Sequence, residues 1–210
     1  GVDRAEAARR QASFYRAREP EGGVSLILGA GNVSSIPPMD VFAKMFVEGY
    51  VCLVKMNPVN EWAGPILERA LAPLVDRGFL RIVYGGGDVG QYLVEHAGVH
   101  DVHITGSDKT HDLIVWGAPG PERERRMKAN DPKLKKPISS ELGNVSPVIV
   151  VPYTYHDDEL AFMAANVASM VTNNASFNCN AAKMLVTSRA WPQRDAFLGL
   201  VARELGRSPA

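Results

Sequence analysis

Apolar residues fall along this chain in two rhythms. Short, nearly unbroken apolar runs occupy residues 24–28, 50–56, 79–84 and 99–105. Between them, apolar positions recur every three or four residues, the spacing of one helix face. The runs predict buried strands and the spaced segments predict helices. Residues 2–17 read as an amphipathic helix rich in Ala, Arg and Glu. Pro37 and Pro38 open a helix that runs to Glu48 and stops at Gly49, since proline is tolerated in a first turn. Residues 60–77 read as one helix closed by Gly78. Asp88 caps a helix that reaches His96, and residues 108–116 make a short one. Strands apolar on both faces need cover on both faces. The expected fold class is therefore α/β, a parallel sheet with helices on both faces. In such sheets ligands bind at the turns beyond the strand C-terminal ends. Here those turns hold Gly, Ser, Asn and Lys.

The rhythm breaks at residues 117–136, which hold Pro119, Pro121, the run Arg123-Glu124-Arg125-Arg126, and Lys133, Lys135 and Lys136. A stretch so charged is expected to be a solvated excursion that binds nothing. Strands return at 137–141 and 147–151. Asp157 and Asp158 are expected to cap a helix from 159 to about 172, residues 182–187 read as a strand, and 191–205 as a last helix. A change of domain is expected between residues 141 and 146. The sequence shows no internal repeat.

Composition narrows the function classes. Lys plus Arg and Asp plus Glu both number 23, so the formal net charge is zero. A chain without a basic surplus has little counterion release to drive binding to nucleic acid, which is not the expected partner. A hydrophobic content of 46% supports a sizeable core. No apolar run approaches the length of a membrane span. The first 19 residues are charged and carry no signal-peptide core, so a soluble cytoplasmic protein is expected. Two cysteines make no disulfide framework and fit a reducing compartment.

Of those cysteines, Cys52 lies in an apolar run and belongs to the core. Cys179 stands in Asn173-Asn174-Ala175-Ser176-Phe177-Asn178-Cys179-Asn180-Ala181-Ala182-Lys183, just after a long apolar helix pattern. An inert cysteine usually has apolar neighbours. A thiol at a polar turn is accessible, and its reactivity depends on what favours the thiolate; a half-buried loop cysteine is the alternative. Gly29-Ala30-Gly31-Asn32 follows a strand, but Ser34 stands where the GxGxxG pattern needs its third glycine. Asn32, at a strand tip, can donate to an oxyanion or simply form a turn. Lys55 ends a strand, where it can bond a ribose or phosphate or reach water. Thr105-Gly106-Ser107 leads into a helix N-terminus, a natural place for a pyrophosphate. Glu141 ends a strand and can serve as a base if partly desolvated, or be a surface acid. His96, His100 and His103 are close in sequence, but residues 100 and 103 face opposite sides of a strand, so no metal site is expected.

Taken in order, Asn32, Lys55, Gly85-Gly86-Gly87, Ile104-Thr105-Gly106-Ser107, Glu141-Leu142-Gly143 and Cys179 resemble the aldehyde dehydrogenase superfamily over residues 24–187. Lys136-Pro137-Ile138-Ser139-Ser140-Glu141-Leu142-Gly143-Asn144-Val145-Ser146-Pro147 is similar to the family's KPxxxELGGxxP stretch. Cys179-Asn180-Ala181-Ala182-Lys183 is similar to the segment around the family's nucleophile. The resemblance implies an NAD(P)-binding Rossmann-like domain at 1–141 and the N-terminal part of the catalytic domain at 142–210. It implies oxidation of a small-molecule aldehyde to a carboxylic acid with NAD or NADP. Cys179 would be the nucleophile and Glu141 the general base. Asn32 and the backbone N–H of Cys179 would form the oxyanion hole. Lys55 would bond the adenosine ribose, Gly86 would lie near the adenine, and Gly106 and Ser107 would hold the pyrophosphate. The resemblance also implies a homo-oligomer for the full-length form, without nucleic acid or membrane as partner. The alternatives are an acyl-transferring or reductive relative, and a catalytically inactive dinucleotide-binding module.

The chain departs from the pattern at named places. Pro58 replaces the carboxylate usually found three residues after the lysine, Asn144 replaces the second glycine of ELGG, and His111 replaces a glycine after Thr105-Gly106-Ser107. Without a carboxylate at 58, NADP is expected to be tolerated beside NAD. The chain ends where the family's second catalytic half would begin. The expectation is an incomplete chain with little dehydrogenase activity of its own.

Overall fold

The structure, a computed structural model, describes residues 3–207. They fall into two compact units that divide between Leu142 and Gly143.

In the first unit five strands are parallel: β1 (Val24–Leu28), β2 (Val51–Lys55), β3 (Leu80–Val83), β4 (Asp101–Gly106) and β5 (Ile138–Leu142). Their order across the sheet is β3-β2-β1-β4-β5. The chain thus builds outward from β1 in one direction, then returns to build in the other from β4. Neighbouring strand C-termini diverge at that reversal, between β1 and β4, and leave a crevice.

Alternate side chains point to opposite faces of a strand, and the core divides accordingly. Ile27, Cys52, Val54 and Leu80 pack with Val41 of helix α3 (Ile36–Phe46). Leu26 and Val102 pack with Val94 of helix α6 (Gly87–Glu95), joined by Ile114 of helix α7 (Asp108–Trp116). Pro37 and Pro38 sit in the first turn of α3, where a missing N–H costs nothing. The chain leaves that helix through Gly49 at φ +80°, where a Cβ would meet the Phe14 ring at 2.0 Å.

Two helix expectations need correction, and one segment holds more than expected. The N-terminal helix is two pieces, α1 (Arg4–Arg10) and α2 (Ser13–Arg16), divided at Ala12, whose φ of 51° is left-handed. Arg16 reaches back to the carbonyls of Ala8 and Arg9, at 3.2 Å each, and so closes α1. Val2 lies outside the described residues. The expected helix at 60–77 is a 3-10 turn (Pro58–Ala63) followed by α4 (Gly64–Ala70) and α5 (Ala72–Val75). Pro65 and Pro73 each start a helix, because neither ring can follow a helical residue without a clash and a lost hydrogen bond. The excursion at 117–136 is mostly solvent-exposed, as expected, but it holds a helix that the sequence reading did not give it. It contains α8 (Pro121–Ala129), ended by Asn130 at a left-handed φ of 49° and laced by ion pairs from Glu122 to Arg125 and Arg126. Smaller shifts occur at helix starts: Asp88 and Asp157 lie in first turns and not at caps.

The second unit has two parallel strands, β6 (Pro147–Ile149) and β7 (Met184–Val186), and two helices, α9 (Asp157–Thr172) and α10 (Arg194–Arg207). Its core gathers Leu160, Ala164 and Val167 of α9, Phe197 and Val201 of α10, and Val150 and Trp191. Among the described residues, no helix is long and apolar enough to cross a membrane.

One polar cluster lies inside the first unit. Asp101, at the start of β4, accepts a hydrogen bond from Ser25 Oγ of β1 at 2.6 Å and faces Lys44 Nζ of α3 at 3.0 Å. Lys44 also pairs with Glu48 at 2.9 Å. Burial pulls the Lys44 ammonium down, but its bonds to Glu48 and Asp101 outweigh that and raise it above 10.5. A raised lysine contributes its full stability below the ordinary value and loses it as pH rises through the raised one. Asp101→Leu leaves Ser25 and Lys44 short of a partner inside the fold, which should cost about 3 kcal/mol. The expected readout is a lower urea midpoint by Trp62 and Trp116 fluorescence, while Glu122→Gln on the surface of α8 leaves the midpoint where it is. An unshifted midpoint in Asp101→Leu would show that the pair does not hold α3 to β4.

Candidate functional site

At the C-terminal ends of the strands the first unit encloses a cavity of about 800 Å³. That is room for a ligand larger than most metabolites. Its walls come from the point where strand order reverses: Leu28 and Gly29 after β1, Lys55 ending β2, and Ile104 to Ser107 at the end of β4. Gly86 and Gly87 at the start of α6, and Ser107 at the start of α7, add two helix N-termini. Helix N-termini carry unpaired N–H groups and favour anions. Ser107 is the N-cap of α7 and accepts the Thr110 N–H at 3.1 Å.

Lys55 is the unusual wall. It is only 7% exposed, yet its side chain has no hydrogen bond or ion pair among the described residues. No fully buried side-chain nitrogen there lacks a partner, so the Lys55 ammonium opens onto the cavity it lines. Burial lowers it from its ordinary 10.5, against the pull of Glu61 and Asp88. A lysine with a buried stem and no carboxylate in contact keeps its donors for an anionic or hydroxyl-rich ligand.

The four residues expected to hold a cofactor, Lys55, Gly86, Gly106 and Ser107, therefore border one cavity. The sequence reading missed others. Asn57 also lines it, and its side chain lies so close to Gly31 that a Cβ there would meet it at 2.7 Å. The excursion returns to the cavity as well, through Gly117, Ala118 and Lys133 to Lys136. Lys136 donates to the carbonyls of Val94 and His96 at 2.7 and 2.6 Å and so closes the C-terminus of α6. Burial holds that ammonium below its ordinary value. One signal was legible: α6 has no basic residue in its last turn, so its carbonyls need a cation from elsewhere.

Asn32 follows β1, and Glu141 is exposed on β5, in register with Thr105 of β4. Their strands are two spacings apart, about 10 Å. Asn32 is half-buried in the turn that leads to α3. His103, beside them on β4, bonds Ser139 at 2.8 Å and faces Asp40 at 3.5 Å, whereas His100 accepts the Val24 N–H at 3.1 Å.

Cys179 belongs to the second unit. It is half-buried in the loop between α9 and β7. Three consecutive residues of that loop, Asn174, Ala175 and Ser176, have φ of 50°, 50° and 65°. Left-handed backbone costs a residue with a Cβ about 1 kcal/mol or more. The loop is braced against that cost. Lys183 Nζ donates to Ser176 O at 2.9 Å, Ser176 Oγ at 3.1 Å and Ala181 O at 3.2 Å. Backbone bonds from Ala182 N to Met170 O and from Lys183 N to Val145 O tie it to α9 and to the approach to β6. The Cys179 thiol lies 3.6 Å from Asn178 Oδ1 and 3.7 Å from Asn180 Oδ1.

The two cysteines are thus unlike. Cys52 is 3% exposed, and burial pushes its thiol up to about 12. Iodoacetamide at neutral pH should label Cys179 and leave Cys52 unmodified until the fold is opened with denaturant. Equal labelling of both in the folded protein, read by peptide mass spectrometry, would contradict this.

A sequence model described as "Aldehyde dehydrogenase family" matches residues 3–204. Among curated proteins, 4-trimethylaminobutyraldehyde dehydrogenase of Rattus norvegicus is 29% identical over 197 residues, covering 92% of this chain and 35% of that protein. Among solved structures, the aldehyde dehydrogenase KauB of Pseudomonas aeruginosa gives a TM-score of 0.66 at 23% identity, over 92% of this chain and 36% of that one. An NADP-dependent glyceraldehyde-3-phosphate dehydrogenase of Bacillus halodurans, complexed with NADP, gives 0.67 at 23% identity, over 86% and 34%. This chain spans about a third of the length of these relatives. The structural matches, at this identity, show a shared α/β fold.

Proposed function

This chain belongs to the aldehyde dehydrogenase family, and on that premise we propose that it serves the NAD(P)-dependent oxidation of an aldehyde to a carboxylic acid, through a thiohemiacetal and a thioester on Cys179. Residues 1–141 are the proposed dinucleotide-binding domain and residues 142–210 the N-terminal part of the catalytic domain. The observation that carries the reading is Lys55, a buried residue whose ammonium has no hydrogen-bond or ion-pair partner among the described residues and opens on a cavity of about 800 Å³ at the strand-order reversal. A dinucleotide fits that cavity in size. Its anionic groups fit the two helix N-termini, and its hydroxyls fit Lys55.

Each residue then has a role. Lys55 bonds the adenosine ribose, Gly86 leaves room for the adenine, and the turn at Gly106 and Ser107 receives the pyrophosphate. The bound nicotinamide supplies the hydride acceptor. Cys179, as thiolate, attacks the carbonyl carbon, and the amide of Asn32 with the Cys179 N–H donates to the oxyanion. Glu141 takes a proton from water, which hydrolyses the thioester. The whole enzyme is proposed to act as a homo-oligomer in the cytoplasm.

Binding tests the cofactor part directly. Lys55→Met should weaken NAD binding by about tenfold or more, the loss of a hydrogen bond to a charged donor. NAD and NADP should both bind the wild-type chain, since Pro58 neither bonds a 2′-hydroxyl nor repels a 2′-phosphate. Calorimetric titration showing no binding of either dinucleotide would refute the reading of the cavity; binding of NAD without NADP would refute only the tolerance.

The chemical part is tested in a preparation that turns over aldehyde. Glu141→Gln should slow turnover about 100- to 10,000-fold while a thioester accumulates on Cys179, visible by intact mass. Undiminished turnover without an acylated species would remove Glu141 from the base's role and favour transfer to another acceptor.

A further inference from the structure

The two asparagines that flank Cys179 are not equivalent, and the difference bears on how the thiol ionises. Both present a side-chain oxygen to the sulfur, Asn178 at 3.6 Å and Asn180 at 3.7 Å. Oxygens at those places accept the S–H and so favour the thiol. A thiolate has only lone pairs to offer, and two amide oxygens beside it are repulsive. At least one amide has to turn if the sulfur is to react as thiolate.

Asn178 is held against turning. Its Oδ1 accepts the backbone N–H of Asn180 at 3.0 Å, and its Nδ2 donates to Asn173 Oδ1 at 2.9 Å. Rotation would break both bonds. Asn180 is exposed, and its side chain has no partner among the described residues besides the sulfur. A half-turn about Cβ–Cγ exchanges its oxygen and nitrogen and breaks no other protein hydrogen bond.

We propose that Asn180 is a further catalytic residue, whose side-chain amide turns to donate its N–H to the Cys179 sulfur as the thiol ionises. This rests on the reading of Cys179 as the nucleophile. In the step, the S–H bond breaks, the proton passes to solvent water, and the electron pair stays on sulfur. The carbonyl oxygen of Asn180 swings away and an amide hydrogen takes its place. Asn178 keeps the loop in register and continues to face the sulfur with oxygen. One exposed amide thus governs what the sulfur faces. A hydrogen bond to an ionised acceptor is about twice as strong as a neutral one, which gives the turned amide its effect.

The test needs no turnover. Alkylation of Cys179 by iodoacetamide is followed against pH in the wild-type chain, Asn180→Leu, Asn180→Asp and Asn178→Leu, with peptide mass spectrometry reporting the site. In Asn180→Leu the midpoint should move up by about one pH unit, a tenfold loss of thiolate at neutral pH. Asn180→Asp should move it at least as far, because a carboxylate has the shape of the amide but can only repel the thiolate. Asn178→Leu, which removes an opposing oxygen, should not move it upward. Asn180 is exposed, so the Leu and Asp variants are expected to fold, and far-ultraviolet dichroism checks it. Identical profiles in the wild type and both Asn180 variants would overturn the role of Asn180 and leave Cys179 as nucleophile. A Cys179 that alkylates no faster than Cys52 would overturn the nucleophile itself, and the proposal with it.

Discussion

The pairing of β1 with β4 is the contact on which the first unit depends. β1 has β2 on one side and β4 on the other, although most of the intervening chain separates β1 from β4. Because the chain leaves β1 toward β2 and leaves β4 toward β5, on opposite sides, the turns that follow β1 and β4 diverge, and the cavity opens between them. The register Ser25↔Asp101 also places a serine and a carboxylate side by side on one sheet face. Lys44 of α3 comes down on that pair and fixes the helix over the reversal. On the opposite face Leu26 and Val102 meet α6, so the same strand pair is clamped by polar bonds on one side and by apolar packing on the other.

Three lysines of this unit show how similar chemistry takes on different work. Lys44 is buried with two carboxylates and is raised. Lys55 is buried to a similar degree, has no partner in contact, and is lowered. Lys136 spends its hydrogens on the last carbonyls of α6 and is also lowered by burial. The first secures a helix, the third closes one, and only the second keeps its donors for a ligand. Burial alone does not separate Lys44 from Lys55; the oxygens in contact with the ammonium do.

The loop before β7 is organised by another economy. Three non-glycine residues in left-handed backbone are unfavourable by themselves. They persist because Lys183, four residues beyond the cysteine, ties Ser176 to Ala181 and closes the loop on itself. That closure leaves Cys179 half-buried between two amides instead of in the apolar core.

The strands, the parallel α/β class and the contrast between Cys52 and Cys179 were legible in the sequence, because apolar runs and apolar neighbours act locally. The motif order identified the family for the same reason: Lys55, Thr105-Gly106-Ser107 and Glu141 each end a strand whose signal is strong. Helix continuity was less legible. Periodicity alone carried residues 60–77 through Pro73, where the ring's clash with the preceding turn decides. Residues 117–136 looked like solvent-exposed filler because their charges face outward, and only the folded chain brings their far end back to the cavity. That Lys136 caps α6, that the Lys55 ammonium has no carboxylate in contact, and that two hydrogen bonds hold Asn178 while none besides the sulfur holds the Asn180 side chain all depend on atoms distant in sequence or on exact orientation. Local propensity sets elements, but unpaired donors and acceptors are settled only when elements from separate parts of the chain pack together.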